Sequence, residues 1–99
     1  MVEHIVVFKW KENASADAIA AALAGLRGLK DQVPGIVELT VGTNFSARSQ
    51  GFDAGLVVRF IDRAALDTYV PHPAHQSVVQ NLLNPIREES IVIDYEIAR

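Results

Sequence analysis

The chain contains no cysteine. Disulfides, thiolate nucleophiles and zinc held by thiolates are thereby excluded. Asp and Glu number 12 against 9 Lys and Arg, a net charge of −3 at pH 7, and no block of like charges occurs. That mild acidity argues against nucleic acid as a partner, because phosphate binding needs a basic patch. No apolar run reaches the roughly 18 residues that a membrane helix requires. No glycine-rich phosphate loop is present, since Gly25 and Gly28 fall inside a helical pattern. The start, Met1-Val2-Glu3-His4, passes directly into a strand-like pattern. It lacks the basic stretch, apolar run and small-residue cleavage site of a secretory signal, so a cytoplasmic protein is expected.

What remains is an ordinary globular balance, 49% hydrophobic and 21% charged over 99 residues, which fits a single domain spanning residues 1–99. Residues 4–10 alternate as a strand, with His4, Val6, Phe8 and Trp10 on one face and Ile5 and Val7 on the other. Ser15 is placed to cap a helix in which Ile19, Leu23, Leu26, Leu29 and Val33 recur at helical spacing. Gly25 and Gly28 weaken that helix by roughly 1 kcal/mol each relative to alanine, and tight packing against the sheet is one reason to keep them. Val33-Pro34-Gly35 ends it. A second strand is expected over residues 36–41, with Val37, Leu39 and Val41 on one side, then a polar loop over 42–53 and a third strand over 56–61. Asp62 can cap a short helix reaching Val70, on which Leu66 and Tyr69 share a face. Pro71 and Pro73 interrupt it, and Pro73 suits the first turn of a further helix carrying Val78, Val79, Leu82, Leu83 and Ile86 inward. Residues 90–97 form the last strand.

This order predicts an α+β, ferredoxin-like sandwich: a four-stranded antiparallel sheet with helices on one face. Helices on one face cover one side of the sheet only. Yet Ile5 and Val7 oppose Val6, Phe8 and Trp10, and Val57 and Ile61 oppose Leu56, Val58 and Phe60. Two apolar faces need a second cover, and a second copy related by a two-fold axis is the simplest. The expected partner is therefore a homodimer whose sheets meet face to face as a dimeric α/β barrel. Trp10 belongs to the core or to that interface.

Chemistry concentrates in Tyr69-Val70-Pro71-His72-Pro73-Ala74-His75. Histidine titrates near neutral pH and tyrosine donates or accepts a proton. His75 precedes Val78 and Val79 by three and four positions and so shares their inward face, as Tyr69 shares that of Leu66. One reading is an acid/base pair lining a pocket. The other is a buried pair hydrogen-bonded internally. His72, between the prolines, either fixes the turn through its side chain or lines the pocket mouth. His4 either points into a cavity or lies at an exposed strand end. The spacing of His72 and His75 is not that of a helical metal-ligand pair, so neither metal nor cofactor is expected.

The segments His4-Ile5-Val6-Val7-Phe8-Lys9-Trp10-Lys11, Val33-Pro34-Gly35-Ile36, Gly42-Thr43-Asn44-Phe45, Gly51-Phe52-Asp53, the cluster from Tyr69 to His75, and Val92-Ile93-Asp94-Tyr95 together form a pattern across the whole chain. It resembles the stress-responsive α/β-barrel domain (Dabb) family. The resemblance implies a dimeric α+β barrel related to heat-stable plant stress proteins and to a plant polyketide cyclase that makes olivetolic acid. In that cyclase the tyrosine and last histidine of the motif are the catalytic pair, which implies Tyr69 and His75 here. The motif's first histidine and the strand-one histidine support the pocket, which implies His72 and His4. The cyclase closes its substrate by an aldol step without a cofactor. It also has a histidine early in strand three, where this chain has Ala54 or its neighbour. Some plant relatives hold a cation on backbone carbonyls near the end of the first helix, corresponding to residues 30–33. Three functions follow as expectations: a cyclase-like enzyme acting on a small, largely apolar carbonyl compound, a non-catalytic stress or binding protein, and a cofactor-independent monooxygenase.

Overall fold

A computed structural model describes residues 1–98 of the chain. Strand β1 (Val2–Trp10) lies between β3 (Ala54–Phe60) and β4 (Arg87–Glu96), with β2 (Ile36–Thr43) beyond β3; the sheet order is β2-β3-β1-β4 and every pairing is antiparallel. Helix α1 (Ala16–Gly28) with a following 3₁₀ turn, α2 (Arg63–Tyr69) and α3 (Pro73–Val78) pack on one face. This is the ferredoxin-like α+β arrangement that the order of elements predicts. Among the described residues, no helix is long and apolar enough to cross a membrane.

The helix caps follow from single side chains. Ser15 accepts from the Ala18 N–H at 3.0 Å and Asp62 from the Ala65 N–H at 2.9 Å, each satisfying a donor that the first helical turn leaves open. Pro73 opens α3, where a missing N–H costs nothing. The α1 stripe buries Leu23 and Leu26, and Leu29 and Val33 continue it beyond the helix end.

Several expectations change, among them the last strand, which runs Arg87–Glu96 rather than 90–97. Val37 does not join Leu39 and Val41 on the core side. A register shift between Ile36 and Glu38 sets Ile36 opposite Phe60, Leu39 opposite Val58 and Val41 opposite Leu56, and leaves Val37 exposed. A bulge of this kind puts an extra residue into one strand. The third strand ends at Phe60, so Ile61 leaves the sheet and its N–H donates to the Gly35 carbonyl at 3.0 Å. The last helix does not run evenly to Ile86. After Val78 it widens into a single π turn (Val79–Leu83), with the Asn84 N–H reaching the Val79 carbonyl at 2.8 Å. That turn explains Gly25: a methyl there would lie 2.6 Å from Leu82 Cδ1, so the glycine admits this helical segment rather than the sheet.

Alternation on β1 divides the molecule. Val2, His4, Val6 and Phe8 lie under the helices and are buried. Opposite residues of antiparallel strands share a face, so Val58, Leu56 and Ala54 lie under the helices with them. Ile5 and Val7 look the other way, in line with Val57 on β3 and Ile91, Ile93 and Tyr95 on β4. Val57, Ile91, Ile93 and Tyr95 are all exposed, and an ion pair between Glu3 and Arg59 at 2.9 Å borders the patch. On β4 even the helix-side residue Val92 is exposed, because the helices stop short of this edge strand.

Gly35 adopts φ +91°, and a methyl there would lie 2.6 Å from Ala65 Cβ. Both the left-handed backbone and the contact disfavour any side chain. Gly35→Ala is expected to lower stability by about 1–3 kcal/mol, read as a lower urea midpoint at unchanged m-value.

Candidate functional site

Tyr69 closes α2 and is fully buried beneath it. Its ring meets Phe60 edge-on at 5.1 Å, His4 edge-on at 5.9 Å and His75 at 4.2 Å with a 38° tilt. Its hydroxyl is buried and has no hydrogen-bond partner among the described residues. Most buried polar atoms are paired, and among the described residues this hydroxyl is an exception. Burial pushes its pKa up to about 12, keeping it protonated at neutral pH.

His75 enters from α3. Its Nδ1 lies 2.9 Å from the Val70 carbonyl, which also accepts from Gln76 Nε2 at 2.8 Å. A carbonyl only accepts, so Nδ1 carries the hydrogen and Nε2 of the neutral ring keeps its lone pair. Burial lowers the pKa of His75; the bond to Val70 opposes this and the nearby His4 and His72 add to it. The neutral, basic form therefore prevails at pH 7.

His4 is buried on the helix side of β1, and its Nδ1 is hydrogen-bonded to Asp94 Oδ1. The two residues are direct partners across the β1–β4 ladder, so strand register alone brings them together. His72 takes a different place. As N-cap of α3, it accepts from the Ala74 N–H through Nδ1 at 3.0 Å. It fixes the turn with its side chain, and it is absent from the cavity wall.

The cavity opens between β1, β4 and the α3–π segment, with a volume of about 300 Å³. His4, Tyr69, His75 and Asp94 stand in its wall together with Val6, Phe8, Leu26, Leu56, Val79, Leu83 and Val92, and Arg87 and Ser90 also line it. Three of the four histidine and tyrosine positions singled out in the sequence thus meet at one apolar hollow. A second hollow of similar volume, lined by Val2, Arg63, Leu66, Asp67 and the residues from Asp94 to Glu96, contains neither Tyr69 nor His75. Among the described residues, no group of three or more His, Cys, Asp or Glu is placed to hold a metal ion.

Asp94, Arg87 and Ser90 were not among the predicted site residues. Asp94 had one signal, its place in the closing Val92-Ile93-Asp94-Tyr95 segment. Its pairing with His4 depends on a register that the sequence does not display.

Comparison with known proteins adds the following. Residues 2–97 match the family model of the stress responsive A/B barrel domain. A stress-response A/B barrel domain-containing protein of Arabidopsis thaliana is 28% identical over 98 residues, 95% of this chain, and the match spans 36% of that longer protein. A dimeric ferredoxin-like protein from Jannaschia sp. CCS1 is 33% identical with a TM-score of 0.80, covering 97% of this chain and 98% of that one. The hydroxynitrile lyase from Passiflora edulis shares the fold, with a TM-score of 0.88 at 24% identity over 98% of this chain and 93% of its own.

The unpaired hydroxyl of Tyr69 carries a stability consequence. Tyr69→Phe keeps the packing and removes a desolvated group, so stability is expected to hold or rise by about 1 kcal/mol. Tyr69→Ala, which empties the site, is expected to cost about 3–5 kcal/mol. Equilibrium unfolding of the two variants checks this; a loss in Tyr69→Phe as large as in Tyr69→Ala would show that the hydroxyl is paired.

Proposed function

The chain belongs to the stress-responsive A/B barrel domain family, and on that premise we propose that it acts as a homodimer in which each protomer binds a small, largely apolar carbonyl compound beside Tyr69 and His75 and enolises it. The observation that carries this reading is the buried Tyr69 hydroxyl, without a partner among the described residues, beside a neutral histidine at the wall of an apolar cavity.

The roles follow from the two protonation states. His75 Nε2 removes a proton from the carbon next to the substrate carbonyl. The C–H electron pair forms the carbon–carbon double bond, and the carbonyl π pair moves to oxygen. Tyr69, held protonated, donates a hydrogen bond to that oxygen as its charge develops. The enolate carbon then recovers the proton from His75 or attacks a second carbonyl of the same molecule. In the second case a carbon–carbon bond forms, and the new alkoxide takes the proton from the imidazolium. This closure is the aldol step of the cyclase-like reading. His4, anchored by Asp94, supports the Tyr69 ring.

The dimer reading rests on the open face of the sheet. Ile5, Val7, Val57, Ile91, Ile93 and Tyr95 line up as an apolar band there, and Val57, Ile91, Ile93 and Tyr95 are exposed in a lone protomer, the kind of surface that marks an interaction face. A second copy of the same face covers it, with each residue used twice.

Proton exchange into a simple methyl ketone in D₂O tests the chemistry without knowledge of the natural substrate. His75→Ala is expected to slow exchange by about 10²–10⁴-fold, and Tyr69→Phe by about 10²-fold. Exchange in His75→Ala equal to that of the parent would remove His75 from the role of base. Because the His75 pKa lies below 6.5, the rate should be level at neutral pH and fall only below that value. The same sign holds for stability: a depressed histidine pKa stabilises above the unfolded value and loses that contribution as pH falls through the folded one. Val57→Asp and Ile93→Asp are each expected to yield monomers by sedimentation, and dimers persisting in both would place the interface elsewhere.

A further inference from the structure

The cavity is polar at both ends. Tyr69, His75 and the His4–Asp94 pair mark one end, and Arg87 and Ser90 the other. Strand register sets their spacing. His4 lies opposite Asp94, and Phe8 lies opposite Ser90, four residues further along β1. At the rise of a strand that separation is about 13 Å. Val6 and Leu56 lie between, with Leu83 from the π turn in the wall.

Arg87 holds an unusual position for a cation. It is half-buried, and the described ion pairs are His4–Asp94 and Glu3–Arg59 only, so no carboxylate among the described residues engages it. Its one side-chain hydrogen bond among them goes to a neutral amide, from Nη2 to Asn84 Oδ1 at 2.5 Å. That contact steadies the guanidinium and leaves most of its five donors free. Glu88 and Glu89 follow directly in sequence yet form no ion pair with it. The chain as a whole is acidic, at −3, so a general attraction for anions does not account for a cation at a cavity wall with no carboxylate partner among the described residues.

We infer that the ligand is an amphipathic keto acid: a carbonyl facing Tyr69 and His75, an apolar body along Val6, Leu56 and Leu83, and a carboxylate held by Arg87 with Ser90 beside it. A planar carboxylate matches the guanidinium fork, and a charge-assisted bond at the half-open end adds affinity without burying an unpaired charge. Arg87 also orients the molecule, because an anion at the opposite end would meet Asp94. This inference rests on the carbonyl-binding reading of the cavity and adds the acid group and its direction.

Calorimetric titration with a medium-chain methyl-keto acid and with its methyl ester tests both levels. The two compounds share the carbonyl and the apolar body and differ in charge. In the parent protein the acid is expected to bind about tenfold or more tightly than the ester, and the ratio should shrink as salt is raised. In Arg87→Met and Arg87→Gln the ratio should fall to about one or below, with ester binding showing that the cavity is intact. Equal affinities in the parent would overturn the keto-acid inference while leaving the carbonyl-binding cavity standing. A ratio that survives both substitutions would overturn the role of Arg87. If neither compound binds the parent, the cavity reading falls and the inference falls with it.

Discussion

The alternation of β1 is the constraint on which the rest depends. It is a central strand, paired on both sides, and a strand side chain can face only one way. Even-numbered residues from Val2 to Phe8 therefore enter the helical layer, while Ile5 and Val7 are committed to the opposite surface. A slip of one residue would exchange the two sets, exposing Phe8 and bringing Lys9 into the core. The same alternation delivers His4 to the cavity, because His4 belongs to the even set. Core, site and candidate interface are thus consequences of one register.

Desolvation acts on what that register brings together. The apolar surroundings that stabilise the fold also penalise charge, and they shift Tyr69 and His75 in opposite directions along the pH scale. Both groups end up neutral, one with a proton to share and one with a lone pair to offer. An acid and a base that do not neutralise each other are then held side by side. The arrangement has a thermodynamic cost, since a buried hydroxyl without a partner forgoes about 1–3 kcal/mol. Phenylalanine would satisfy the packing alone, so the hydroxyl calls for an explanation other than stability.

The edge position of β4 completes the hollow. Helix α1 packs nearest the far edge strand β2 and α2 over the central strands β1 and β3, and the α3–π segment leaves a gap above β4 that the cavity occupies. The π turn contributes here. By widening the helix at residues 79–83 it carries Val79 and Leu83 to the cavity wall, and Gly25 gives its neighbour Leu82 room against α1. An evenly wound α-helix would present these residues at different angles.

Much of the architecture is legible along the chain because its causes are local. A serine or aspartate before an apolar stripe satisfies open N–H groups of the next turn, a proline admits a helix start and forbids its middle, and alternation marks a strand; each depends on residues within about four positions. Ser15, Asp62, Pro73 and the inward face bearing Tyr69 and His75 could be read in this way. The β2 bulge at Val37, the π turn and the early end of the third strand could not, because each is a compromise with a distant surface. Asp94 is the clearest instance. It stands 90 positions from His4, and nothing near either residue announces the other. The sequence by itself determined which side chains would seek the interior. The tertiary structure alone decided which of them would meet, because strand pairing is a contest among whole surfaces, whereas a cap or an alternation is settled by immediate neighbours.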